Sequence, residues 1–210
     1  FAPLGARPDR GAPAEAQSQT VSPGQVPAGL SAAEWNSIQT AIRADQYNWT
    51  PEGKTTNPAQ GWDVRFDRDG MLVSPLDGDA WQWGLQLTGY GYEAEDLRGL
   101  EDLGGLSVDQ NTLTYSWAQN ISEWWINTPA GLEQGFTLQE RPSESGAAGQ
   151  APLVVEMDVT GTLTPLQEGE SIHFQNAAGE TILTYDKLLV IDAEGNVIPA
   201  RFSLSLREIA

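Results

Sequence analysis

The chain has 210 residues, with 11 Lys+Arg against 29 Asp+Glu and a formal net charge of −18. That length allows one domain with a full core, and so acidic a surface repels phosphate backbones and anionic lipid, which excludes nucleic-acid and membrane-surface roles. With no cysteine and one histidine, His173, disulfides, thiolate zinc sites and His-pair metal centres are excluded. No run reaches the roughly 18 apolar residues of a membrane span, so no membrane insertion is expected.

Residues 1–29 differ from the rest. They hold five of the 13 prolines, Pro3, Pro8, Pro13, Pro23 and Pro27, and have no apolar periodicity. This composition predicts an extended N-terminal segment rather than a folded unit, followed by a single β-rich domain over 30–210. Phe1, Leu4, Val21 and Val26 are its candidate anchors on a neighbouring copy. The first residue is Phe1 rather than Met, as expected of a chain processed by removal of a signal peptide or of a fragment.

A helix is predicted next. Ser31 and Glu34 have the spacing of a capping box, with Leu30 and Trp35 placed as a hydrophobic staple. Trp35, Ile38, Ala41 and Ile42 then recur at helical spacing, a stripe expected to lie on a sheet.

From Trp62 the period changes to two. Residues 62–66 and 71–73 alternate around Asp67-Arg68-Asp69-Gly70, the pattern of a β-hairpin. Trp81, Trp83, Leu85 and Leu87 share a strand face, as do Leu113, Tyr115 and Trp117. Short strands are read at 124–126 and 136–138. After a polar loop at 143–151, strands are read near 153–159, 172–174, 181–185, 188–191 and 197–206. Some eleven or twelve strands at this spacing, with no βαβ alternation, predict an antiparallel β-sandwich or open barrel with one N-terminal amphipathic helix. Trp83, Leu85, Leu113, Tyr115, Val155, Met157, Phe202 and Leu204 are the expected core.

Four features could carry chemistry. The eight tryptophans fill a wide core or offer stacking faces to sugar rings; adjacent Trp124 and Trp125 must point to opposite faces, so they are the candidate carbohydrate-stacking pair. A glycosidase needs two carboxylates across a cleft, and Glu123 and Glu133 are the pair to inspect, although surface solvation is the plainer reading of both. Asp67, Asp69, Asp77 and Asp79 resemble half a calcium loop, without the glutamate that completes it; turn chemistry explains them as well, and no cofactor is expected unless calcium. The acidic stretch Glu93, Glu95, Asp96, Glu101 and Asp102 reads as solvated. His173, between Ile172 and Phe174, is expected on the opposite, exposed face. No nucleophile elbow, P-loop or dinucleotide fingerprint occurs.

Leu30-Ser31-Ala32-Ala33-Glu34-Trp35, the run Trp83 to Gly91, and Glu123-Trp124-Trp125-Ile126-Asn127 continuing to Leu138 together resemble an N-terminal module of bacterial secreted proteins that often precedes FG-GAP, integrin-type repeats. The resemblance would cover about residues 30 to 210. It implies an extracellular, β-rich module and supplies no site residue.

The expected function is a non-enzymatic extracellular or cell-surface structural and adhesive domain, assembling with copies of itself into filaments. A carbohydrate-binding module with glycan partners is the alternative, and a glycoside hydrolase the third reading.

Overall fold

The computed structural model describes residues 26–78, 80–92, 98–100, 105–117, 120–142 and 152–205. The chain divides into two units, Phe1–Ala41 and Ile42–Ala210. Their boundary falls inside α1 (Ala32–Asp45), beyond the change of composition at residue 29. Ser31 opens the helix: its Oγ accepts from the Glu34 backbone N–H at 3.2 Å, and Glu34 Oε2 accepts from the Ser31 N–H at 2.8 Å. Two donors that the first turn leaves orphaned are thereby satisfied. No residue of α1 is buried, and Ile38 and Ile42 are exposed. Trp35, the first member of the predicted stripe, is half-buried.

Among the described residues fifteen strands follow: β1 (Lys54–Asn57), β2 (Trp62–Asp67), β3 (Gly70–Pro75), β4 (Trp83–Gly91), β5 (Arg98–Gly99), β6 (Leu106–Asp109), β7 (Thr112–Ser116), β8 (Ile121–Thr128), β9 (Gly131–Leu138), β10 (Val154–Gly161), β11 (Thr164–Glu168), β12 (Ser171–Gln175), β13 (Thr181–Tyr185), β14 (Val190–Ile191) and β15 (Val197–Ile198). All pairings are antiparallel. One sheet runs β1-β2-β3-β4-β10, with β5 also on β4; a second runs β6-β7-β8-β9, a third β11-β12-β13, and β14-β15 is a separate ribbon. The fold is an antiparallel β-sandwich with one helix, not a closed barrel.

The β2–β3 hairpin is set by its turn. Asp67 Oδ1 accepts from the Asp69 N–H at 2.8 Å, and Gly70 holds φ +96° against β4. A Cβ on Gly70 would strike the Leu85 carbonyl and come within 2.8 Å of Gln86 Cα, so only glycine fits. Alternation then turns Val64, Phe66, Met71, Val73, Trp83, Leu85 and Leu87 into the core, all 5% exposed or less. Ring contacts join the sheets there: Phe66 meets Tyr115 of the second sheet at 5.4 Å, and Trp83 meets Phe174 of the third at 5.2 Å.

Of the expected core, Trp83, Leu85, Leu113 and Tyr115 are buried, whereas Val155, Met157, Phe202 and Leu204 are half-buried at its margin. The last strand is also shorter than its alternation suggests, ending at Ile198 before Pro199, which has no N–H for a ladder. Beyond it a side chain replaces a strand neighbour. Gln167 donates Nε2 to the Phe202 carbonyl at 3.0 Å, and its Oε1 accepts from the Leu204 N–H at 3.2 Å. The segments read at 124–126 and 136–138 are parts of longer strands, β8 and β9, joined over Pro129-Ala130. His173 is half-buried rather than exposed, with Nδ1 at 3.2 Å from Thr184 Oγ1 and Nε2 at 3.7 Å from Glu168.

Candidate functional site

Strand β8 carries the unusual chemistry. Its inward side chains are Ile121, Glu123, Trp125 and Asn127, none more than 1% exposed. An apolar and a polar group thus alternate along one buried face, and each polar group must find partners inside the protein.

Glu123 is the first node, and it corrects the expectation of surface solvation. Its Oε1 accepts from Trp125 Nε1 at 2.9 Å and from Gln134 Nε2 at 2.8 Å; Oε2 accepts from Trp117 Nε1 at 3.3 Å. Burial pushes its pKa up, and the three hydrogen bonds, from Gln134, Trp125 and Trp117, pull the other way. Gln134 relays the node outward, because its Oε1 accepts from the Tyr185 hydroxyl at 2.7 Å. Burial raises the Tyr185 phenol, and the Glu123 carboxylate adds to the rise. Tyr185 stands on β13, so the chain Glu123–Gln134–Tyr185 ties the second sheet to the third.

Asn127 is the second node. Its Nδ2 lies 3.1 Å from the Tyr47 carbonyl, 3.0 Å from Thr55 Oγ1 and 2.9 Å from the Thr56 carbonyl, while its Oδ1 accepts from Asn57 Nδ2 at 2.9 Å. Asn57 and Thr55 belong to β1 and are themselves buried. This node ties the second sheet to the first.

Glu133 lies on the other face of β9 and is exposed. Glu123 and Glu133 therefore do not converge on one cleft. The signal for Glu123 lay in the sequence: once the strand is read from Ile121 rather than Trp124, the alternation that turns Trp125 inward turns Glu123 inward too.

The tryptophans divide evenly. Trp49, Trp83, Trp117 and Trp125 are buried; Trp35, Trp62, Trp81 and Trp124 are half-buried. Trp125, at 1% exposure, is a core residue with no face open to a sugar. Trp124 does point outward, opposite Thr114 and Gly135. Its indole rests over Gly135, where a Cβ would overlap the ring. Thr112, Thr114, Ser122 and Thr137 share this outer face. A shallow depression of about 330 Å³ lies elsewhere, beside Trp117, rimmed by Arg68, Asp69, Gln86 and Thr88.

Asp67, Asp69 and Asp77 are exposed; Asp67 is engaged in its turn, and Asp79 lies outside the described residues. Among the described residues no three Asp, Glu or His side chains group as metal ligands, and no helix is long and apolar enough to cross a membrane. Of the anchor residues, Val26 is 43% exposed, while Phe1, Leu4 and Val21 lie outside the described residues. So does the acidic stretch Glu93, Glu95, Asp96, Glu101 and Asp102.

No family model, curated protein or solved structure matches the chain. The chain's own surfaces are what point to a function. The most conspicuous is the ribbon β14-β15, which leaves Leu188 42%, Leu189 67%, Val190 37%, Ile191 61%, Val197 68% and Ile198 44% exposed.

Proposed function

We propose that this chain is a non-enzymatic structural or adhesive β-domain of the extracellular space or cell surface, which assembles with copies of itself. The observation that supports this reading is the apolar ribbon β14-β15. On a chain of net charge −18, six neighbouring aliphatic side chains stay at the surface. The register puts Leu189, Ile191 and Val197, the most exposed three, on one face, and exposed apolar groups gathered on one face mark a place where another protein surface sits. The interior supports the same reading, because the buried Asn127 bonds directly to β1 and the buried Glu123 reaches β13 through Gln134 and Tyr185. A cysteine-free, acidic, β-rich chain with a proline-rich leading segment, resembling modules of bacterial secreted proteins, fits an extracellular setting. Sedimentation of the full chain over a wide concentration range tests the proposal. Oligomers that grow with concentration are the expected result; a monomer throughout overturns it.

A second reading, glycan binding, is favoured by Trp124 among the hydroxyl side chains of the outer β7-β8-β9 face. Retardation of the protein in gels containing soluble polysaccharides, abolished by Trp124→Ala, would establish it.

A further inference from the structure

We infer that the open edge of β14 is the acceptor for residues 14–22 of a second copy, added as one more strand to the β14-β15 ribbon. The inference rests on the self-assembly reading above and names its two contact surfaces.

The acceptor is defined by what the ribbon lacks. Each of its strands has two residues, and among the described residues β14 pairs with β15 alone. An isolated two-stranded ribbon is marginal in water and leaves backbone N–H and C=O groups for a further strand. The edges differ. On β15, Pro199 follows Ile198 at once and blocks an extended ladder. On the β14 side, Leu188-Leu189-Val190-Ile191 contains no proline, and exposure alternates 42%, 67%, 37%, 61% along it. That alternation is the period of an extended strand with one face turned partly inward.

The donor is defined by sequence and charge. A second ribbon would arrive with a domain of strong negative charge. Residues 1–25 hold Arg7 and Arg10 against Asp9 and Glu15, so they balance, and the whole excess of −18 belongs to the remainder. The N-terminal segment is thus the part of a second copy least repelled by the acidic turns around Asp186, Asp192 and Glu194. Within it, 14–22 is the one run between prolines longer than four residues, bounded by Pro13 and Pro23. It can donate a backbone N–H at every position, and Thr20-Val21 are β-branched residues suited to a strand. Strand addition of this kind draws affinity from main-chain bonds and specificity from alternate side chains. Val21 is the side chain that would join the Leu189 and Ile191 face.

Full-length variants test the pairing. Leu189→Lys and Val21→Lys each place a charge on one partner, and the exposure of Leu189 leaves the fold of the domain little affected. Each should raise the concentration needed for assembly by at least about tenfold, and Val21→Lys combined with Leu189→Glu should recover most of it. The chain has no cysteine, so Val21→Cys protein mixed with Leu189→Cys protein should form a mixed disulfide dimer under mild oxidation. Wild-type assembly that both lysine variants leave unchanged overturns this inference and spares the self-assembly reading; a monomeric wild type defeats both. A Val21→Cys/Leu189→Cys double variant that closes only within one chain, as a monomer, assigns the edge to the protein's own N-terminal segment and also overturns the inference.

Discussion

Trp125 donates its indole N–H to Oε1 of Glu123 at 2.9 Å, two residues earlier on the same strand. Neighbours on one face of a strand usually stand side by side without bonding. Here the long glutamate and the broad indole meet inside the core, and Trp117 and Gln134 complete the carboxylate's shell. Among the described residues this carboxylate has three donors and no cation beside it. Desolvation works against its charged form while hydrogen bonds work for it, and the upward shift of its pKa says that desolvation prevails.

The first prediction concerns pH. Because the folded pKa of Glu123 is raised above its ordinary 4.5, the folded state holds the proton more tightly than the unfolded one. Its contribution to stability is fully present below pH 4.5 and is lost as pH rises through the folded pKa, by about 1.4 kcal/mol per pH unit between the two values. Glu34 and Asp192, whose pKa values are lowered, act in the opposite sense, so the difference between wild type and Glu123→Gln is the quantity to follow. Denaturant titrations from pH 4 to 8 should show wild type losing ground to Glu123→Gln as pH rises. A constant difference would mean that Glu123 titrates normally.

Asn127→Ala should destabilise by about 3 kcal/mol. The substitution strips a hydrogen-bond partner from Asn57, Thr55 and the Tyr47 and Thr56 carbonyls, in a place that water does not reach. Asn127→Asp should fare no better, since it buries a charge and loses the donor. Equilibrium urea unfolding measures both; a loss under 1 kcal/mol for Asn127→Ala would show that the node is dispensable.

Gly135 and Trp124 should be coupled. Alanine in place of a strand glycine ordinarily helps by about 0.5–1 kcal/mol, but at Gly135 its Cβ meets the Trp124 indole. Gly135→Ala should therefore destabilise the wild type by about 1 kcal/mol and shift tryptophan emission to the red. In a Trp124→Ala background the same change should become neutral or favourable. A double-mutant cycle with no coupling would place the ring elsewhere.

Trp83→Phe should be mild, while Trp83→Ala costs roughly 3–5 kcal/mol. Trp83 is buried at 5% exposure and its indole N–H has no partner among the described residues. Phenylalanine removes that orphan donor and keeps a ring against Phe174, so the lost area and the relieved N–H offset one another. Thermal melts of the two variants decide it: a Trp83→Phe penalty as large as that of alanine would argue for a hidden partner of the N–H.

The parts of the fold that follow local rules were legible in the sequence. The Ser31–Glu34 box, the Asp67 to Gly70 turn and the alternation of Trp83, Leu85 and Leu87 each depend on residues close along the chain. What escaped depends on distant partners. Glu123 and Gln134 look like surface residues until β8 and β9 are paired at full length, and their partner Tyr185 lies on another sheet. Phe202 and Leu204 alternate like a strand, but only the fold reveals that Gln167 serves as their neighbour. The apolar run 188–191 reads as a core strand by composition; no local signal says that it stays outside.

The two polar nodes of β8 also bear on how the molecule comes apart. Asn127 is bonded to β1, and Glu123 reaches β13 through Gln134 and Tyr185. Peeling the second sheet from either neighbour would strand a buried carboxyl or amide without partners, so the intermediate states of a stepwise opening are all penalised. Amide protons along Ile121–Thr128 should then exchange with solvent only through complete unfolding, at a common rate that tracks global stability. The short ribbon β14-β15, tied by no such node among the described residues, should exchange far sooner, making it the loose end of an otherwise all-or-none fold.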